Sequence, residues 1–345
     1  MYSYAASPLR MAPVFLLTAL ALTSCHDTPE FTDDAMGNFD ALAEIVDTRY
    51  CYLSEKNIDW SEITARYRAR LKPGASSLDL FMVCSEMLDE LKDGHVNLSA
   101  PFSTSYYRAW WSDYPQNFSL RTLQQYYLDF DYMQTSGISY KVLDDHVGYL
   151  YYPSFSATVG QLNLDYILAY LQKCDVLVID VRDNGGGALT NVETFVSRLI
   201  DKEITAGYII HKTGPGHNDF SEPFPFCYSP APQGRVRWSP TKPVYLLVNR
   251  SSYSATNNFA AVMKSLPNVT VVGATTGGGG GLPFSQELPN GWVIRFSSCP
   301  ILAPDGSHTE EGIQPTTGWE INCSEEELAA GHDAILDAVL NAEKR

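Results

Sequence analysis

Positive charge is scarce in this chain. Of 345 residues, 24 are Lys or Arg against 40 Asp or Glu, for a formal net charge of −16 at pH 7, and no Lys/Arg-rich run occurs. Neutralising nucleic-acid phosphates requires clustered cations, so nucleic-acid binding is not expected. The charge instead reads as that of a soluble chain that repels anionic surfaces. Seven histidines are scattered without His-x-x-x-His spacing, and seven cysteines contain no Cys-x-x-Cys pair. Zinc ligation depends on such spacings, so no metal is expected. Asn184-Gly185-Gly186-Gly187 lacks both Gly-x-Gly-x-x-Gly and Gly-Lys-Ser/Thr, which weakens a nucleotide site. No cofactor of either kind is called for.

The N-terminal apolar stretch is also limited. Ala12 to Cys25 is shorter than the roughly 20 residues a spanning helix needs, and it ends in small residues as a signal peptide does. Leu22-Thr23-Ser24-Cys25 is similar to the bacterial lipobox, in which the cysteine is acylated and becomes the mature N-terminus. Residues 1–25 are therefore expected to be a lipoprotein signal, with the product exported and lipid-anchored through Cys25 to the cell envelope. The blander alternative is ordinary cleavage, with Cys25 an incidental thiol. Six cysteines remain, and the 15 connectivities they allow cannot be chosen from sequence; free buried thiols are as acceptable as bridges.

Helical periodicity marks the first block, residues 26–99. Phe39, Leu42 and Val46 share one face, as do Trp60, Ile63, Tyr67 and Leu71, and then Phe81, Cys84, Leu88 and Leu91. The spacing predicts a small helical bundle ending at Gly94, read as a C′-type glycine, with His95 on the segment leaving it. Residues 100–140 connect this block to the rest and are dense in aromatics, among them Tyr106, Tyr107, Trp110, Trp111, Tyr114 and Phe118. They suit either a ligand groove or an inter-domain cover, and the cover is the preferred reading.

From 141 to 345 strands and helices alternate. Strands are expected at Val147 to Tyr151, Asp175 to Val181, Tyr208 to His211, Val244 to Val248, Val269 to Val272 and Trp292 to Phe296. Helices are expected at Leu162 to Gln172 and Leu189 to Ile200, with a last helix opening at the capping box Ser324-x-x-Glu327. Such alternation predicts an α/β core with a largely parallel sheet. Residues 213–242, rich in Pro, Gly and Ser, read as a long loop or lid.

Ser254 lies where the strand Val244 to Val248 breaks into Asn249-Arg250-Ser251-Ser252-Tyr253-Ser254 and a helical pattern begins. A serine at a strand-to-helix turn projects its hydroxyl beside free helix N–H groups, which suits a nucleophile. By itself it is more simply an N-cap. Four other passages change that. Leu91-Lys92-Asp93-Gly94-His95-Val96 resembles the Asp-Gly-His segment of the tricorn branch of the C-terminal processing peptidases, the S41 serine peptidases. Val178-Ile179-Asp180-Val181-Arg182-Asp183-Asn184-Gly185-Gly186-Gly187 resembles that family's Leu-Asp-Leu-Arg-x-Asn-x-Gly-Gly motif. Gly273-Ala274-Thr275-Thr276-Gly277-Gly278 is similar to its Gly-Glu-x-Thr-x-Gly stretch, and Thr309-Glu310-Glu311-Gly312-Ile313-Gln314-Pro315 to its closing motif.

This resemblance implies a ClpP/crotonase-like core preceded by the helical bundle. Only about 50 residues separate His95 from Val147, too few for the PDZ domain that many of these peptidases carry. It also implies a Ser–His mechanism. The family's lysine position falls within Gly277 to Gly281, and Lys264 lies nearly three helical turns past Ser254. His95 is then the base and Glu310 the carboxylate that orients it, with Glu311 the second candidate. His308 is the rival base. Ala255 and Gly186 N–H groups would form the oxyanion hole. Asp180 and Arg182 are expected to pair structurally, and residues 277–281 to form a mobile loop. The expected function is a serine hydrolase cleaving peptide or protein substrates, either internally or from an end. The alternatives are a non-catalytic surface binding protein on the same fold and an esterase using the same triad.

Overall fold

The computed structural model describes residues 30–344; the expected signal sequence and Cys25 lie outside them. Helices α1 (Ala35–Arg49), α2 (Trp60–Arg68) and α3 (Ser77–Asp89) form the N-terminal block. Each starts at a side-chain cap: Asp34 accepts the Gly37 N–H, Asp59 accepts the Glu62 N–H, and Ser76 and Asp79 cap reciprocally. The helical faces read from the spacing are the buried ones, and their core is completed by Leu288, Trp292, Ile294 and Phe296. The bundle is thus seated on a distant strand. Helix α3 stops at Asp89 rather than at Gly94, and the chain turns through Lys92 at φ 48° before reaching His95.

Short elements follow: β1 (Asn97–Ala100), β2 (Ser103–Thr104), α4 (Ala109–Ser112), and α5 (Leu120–Thr122) running into a π turn at Leu123–Tyr127. The α/β part contains β3 (Met133–Thr135), β4 (Ile138–Leu143), β5 (Val147–Tyr151), α6 (Gln161–Leu171), β6 (Val176–Asp180), α7 (Leu189–Val196), β7 (Ile204–Ile209), β8 (Phe224–Tyr228), β9 (Val244–Val248), α8 (Ala255–Lys264), β10 (Val269–Gly273), β11 (Gly281–Glu287), β12 (Val293–Leu302), α9 (Glu325–Ala329) and α10 (Ala334–Ala342).

One sheet runs β10-β9-β6-β5-β4-β3. Its four strands from β10 to β5 are parallel, with α6 linking β5 to β6, α8 linking β9 to β10, and α7 followed by β7 and β8 lying between β6 and β9; β4 and β3 extend it antiparallel. Strands β6 and β9 are buried along their whole length, as their unbroken apolar runs require when both sheet faces are covered. This is the parallel core that the alternation predicts. A second sheet, β2-β1-β12-β7-β8 with β11 also paired to β12, is antiparallel throughout and is not foreshadowed by that alternation.

Other boundaries also differ from expectation. Residues 213–242 are not all loop, because β8 lies within them and pairs with β7. The last helix is two helices, since Gly331 at φ 92° turns the chain and Asp333 caps α10 anew. The same Asp333 joins Asp180 around the fully buried Arg182, with Arg182 Nη2 2.6 Å from Asp180 and 2.8 Å from Asp333. The expected Asp180–Arg182 pair is therefore part of a buried triad that ties β6 to the C-terminal helix. The six described cysteines are free thiols.

Candidate active site

The parallel strands β6 and β9 end side by side, and their following turns carry the site. After β9, Ser252 Oγ donates to the Val181 carbonyl at 2.8 Å, and the Tyr253 N–H donates to the Asn184 carbonyl at 3.1 Å. The Ser254 N–H then donates to the Gly278 carbonyl at 2.9 Å. These bonds hold Ser254 at φ 59°, ψ −119°, a conformation that non-glycine residues rarely adopt. Helix α8 starts at the next residue, and the Ala255 N–H has no acceptor among the described residues. The serine makes no cap bond, so its hydroxyl is free for chemistry.

His95 meets it from the other side, with Nε2 2.9 Å from Ser254 Oγ. The imidazole is buried and tilted against the Tyr253 ring, centroids 5.0 Å apart. Burial lowers its pKa to about 4; Asp93 opposes that shift and Arg295 adds to it. Nδ1 is buried without a well-formed hydrogen bond, although the Gly281 carbonyl acts to favour a proton on the ring. Ser254 and His95 are thus brought together as the sequence anticipates.

Glu310 is placed differently from the expected orienting role. It is buried in the same region, but its carboxylate is held by Lys56 Nζ at 2.7 Å and by the Gly280 N–H at 2.9 Å. No direct bond links it to the His95 ring. Burial and the charge of Asp93 push its pKa above the ordinary carboxylate range, and the Lys56 ammonium at 2.7 Å pulls the other way. Asp93 is the carboxylate coupled most directly to the histidine. One oxygen accepts the His95 backbone N–H at 2.7 Å, and the other accepts Ser297 Oγ at 2.8 Å and Tyr50 OH at 3.1 Å. Burial works against ionisation of Asp93, yet Lys56, His95 and these bonds outweigh it and hold its pKa below the ordinary value.

Gly186 sits against the nucleophile turn, where a Cβ would lie 2.9 Å from both Ala255 N and Ser254 Cβ. Its N–H, however, is already donated to Asn184 Oδ1 at 3.0 Å. The Gly187 N–H in the same turn has no acceptor among the described residues, and Gly187 lines the cleft. His308 faces Glu55 at 2.8 Å and lines a different hollow with Cys51 and Phe220, so it does not rival His95. Glu311 is exposed, and Lys264 is spent on the Gln314 carbonyl.

Two further expectations are corrected. The glycine run 277–281 is buried rather than a mobile loop: Gly279, at φ 76°, lies flat on the Tyr253 ring, where a Cβ would come within 2.5 Å. The aromatic segment is not simply a buried cover. Tyr106 is 55% exposed, and Tyr106, Tyr107, Trp110 and Trp111 line a cleft of about 570 Å³ that opens onto Ser254 and His95. Lys56 and Arg295 escaped the sequence reading because no local pattern surrounds them; only the fold carries them to the site.

Comparison with known proteins agrees with this geometry. Residues 146–318, half of the chain, match the profile of peptidase family S41. The chain belongs to peptidase family S41. Residues 31–89 also match the tricorn protease C1 domain, which is the helical block. The carboxy-terminal processing protease CtpA of Bacillus subtilis is 27% identical over 180 residues, 52% of this chain and 36% of that protein. This S41 chain therefore spans about a third of the length of the curated relatives it matches. A crystal structure of a candidate peptidase from Parabacteroides merdae is 45% identical, with a TM-score of 0.84 over 90% of this chain and 97% of that one. Mature CPAF complexed with lactacystin shares the fold at 12% identity, with a TM-score of 0.68 over 89% of this chain and 97% of that one.

Proposed function

We propose that this S41 chain is a serine peptidase working through an acyl-enzyme. The observation that carries the reading is the 2.9 Å contact between Ser254 Oγ and His95 Nε2, made at a turn that holds the serine in a rare backbone conformation. In the proposed reaction the Ser254 hydroxyl proton passes to His95 Nε2 as Oγ bonds to the peptide carbonyl carbon, and the carbonyl electron pair moves onto oxygen. The free Ala255 N–H receives that oxyanion. A second donor comes from the glycine turn, with Gly187 better placed than Gly186 because the Gly186 N–H is already committed. Collapse breaks the C–N bond while His95 protonates the departing amine. Water, deprotonated by His95, then attacks the acyl carbon and releases Ser254.

The burial that depresses the His95 pKa keeps the imidazole neutral and ready to accept a proton. Asp93 favours the imidazolium as it forms. We assign Glu310 a supporting role: with Lys56 and Gly280 it fixes the wall behind the histidine without bonding to it. The names of the relatives and the free nucleophile favour catalysis over a receptor role on the same fold. Anchoring through Cys25 is also proposed. It rests on Leu22-Thr23-Ser24-Cys25 and on the nine residues that separate Cys25 from the start of α1.

A peptide-library digest read by mass spectrometry tests the activity. Cleavages present with wild type and absent with Ser254→Ala support it; identical fragment lists from the two proteins would sink it.

A further inference from the structure

The cleft that holds Ser254 runs against the charge of the protein. Although the chain carries a net charge of −16, no Asp or Glu lines this cleft, whereas Arg108 and Arg295 both do. Arg295 also borders a smaller hollow of about 100 Å³ beneath Ser254 and Ala255, shared with Leu282, Pro283 and Ile301. It therefore stands where both cavities meet at the nucleophile.

The guanidinium of Arg295 is positioned but not neutralised. Its Nη1 donates to the His95 carbonyl and to Asn97 Oδ1, each at 3.3 Å. Both acceptors are neutral, and no carboxylate lies within ion-pair distance among the described residues. The acid in its neighbourhood, Asp93, has its oxygens taken by the His95 N–H, Ser297 and Tyr50. Nε and Nη2 are left without a described acceptor, a two-pronged donor fork on a half-buried cation. Arg108, exposed among the aromatics that line the cleft, has no carboxylate partner among the described residues either and lies over the Tyr106 ring, 5.9 Å from its centroid. A half-buried cation without a counter-ion is costly, and a carboxylate accepting two parallel N–H bonds is the ligand that matches an arginine fork in shape and charge.

We propose that the cleft selects peptides that present a carboxylate next to the bond to be cut, and that Arg295, seconded by Arg108, is the residue that reads it. This deepens, and rests on, the peptidase reading. An acidic side chain and a free C-terminal carboxylate offer the same chemistry, and the two sources are separated by the test.

The test uses a mass-encoded set of peptides in matched pairs: Glu against Gln at each position, and free C-terminus against C-terminal amide. Cleavage by wild type, Arg295→Gln, Arg295→Lys and Arg108→Gln is read as the ratio of kcat/KM within each pair, which cancels any general loss of activity or fold. Wild type is expected to prefer the charged member by about tenfold or more, as charge-assisted hydrogen bonds allow. Arg295→Gln should bring the ratio close to one, while Arg295→Lys, which keeps the charge but loses the fork, retains part of it. Arg108→Gln should reduce it by a smaller factor. Preference in the Glu/Gln pairs assigns the site to an acidic side chain, and preference in the C-terminal pairs to a chain end. Equal rates in both kinds of pair, or an undiminished ratio in Arg295→Gln, would overturn the proposal. Retention of the same peptides on immobilised Ser254→Ala gives a readout independent of cleavage. Charged members enriched there without turnover by wild type would uphold the carboxylate site and remove the peptidase reading; no enrichment and no turnover would remove both.

Discussion

The indole of Trp110 stacks on the ring of Tyr253, centroids 4.0 Å apart at 25°, and Gly94 fits in the space the two rings leave. A Cβ at Gly94 would lie 2.6 Å from Trp110 Nε1 and 2.9 Å from the Tyr253 hydroxyl. Glycine here is thus required by close approach and not by helix termination. The stack joins the aromatic wall of the cleft to the residue that precedes the nucleophile, and Gly94 precedes the base. Gly94→Ser is expected to part the rings and cost about 1–3 kcal/mol, as overpacking a filled site does. Urea unfolding would register the loss and tryptophan fluorescence the parted stack. An unchanged midpoint and emission would show that the wall has slack.

The pH profile follows from the burial of His95. The base must be neutral to accept a proton, and its pKa is lowered to about 4 from the ordinary histidine value. The acid limb of kcat/KM for the free enzyme should therefore fall well below pH 6.5. Asp93 raises the His95 pKa, so Asp93→Asn should move that limb to still lower pH while slowing the step in which the imidazolium forms. A limb that stays near pH 6.5, or one that moves upward in Asp93→Asn, would contradict the assignment.

Lys56 and Glu310 face each other at 2.7 Å with side chains only 13% and 6% exposed. Removing one partner strands the other. Lys56→Met should cost about 3–5 kcal/mol, as breaking a buried pair does, and Lys56→Met combined with Glu310→Gln should recover part of that loss. Chemical denaturation of the four proteins in this double-mutant cycle measures both numbers. Additive losses would mean that the pair is not coupled.

The parallel core, the helical block and the Ser254–His95 meeting were legible because they leave local marks. Val176–Asp180 and Val244–Val248 are unbroken apolar runs, and Asp93-Gly94-His95 and the Ser254 turn are contiguous motifs. The antiparallel sheet was not, because β12 owes its place to partners as distant as Asn97 and Gly281, and such pairing is not written in alternation alone. For the same reason the sequence pointed to Glu310 as the partner of His95. The family pattern marks a carboxylate, but only the fold shows that Lys56 holds it. The pentaglycine run read as slack, since composition cannot distinguish a free loop from backbone pressed against Tyr253 and Glu310.

The central claim is that His95 activates Ser254. Covalent labelling with a biotinylated fluorophosphonate, comparing wild type, Ser254→Ala and His95→Ala, tests it most directly. The account predicts labelling of wild type, none in Ser254→Ala, and a rate lowered by about a thousandfold or more in His95→Ala. Folded wild-type protein that does not label, or His95→Ala labelling at the wild-type rate, would contradict it.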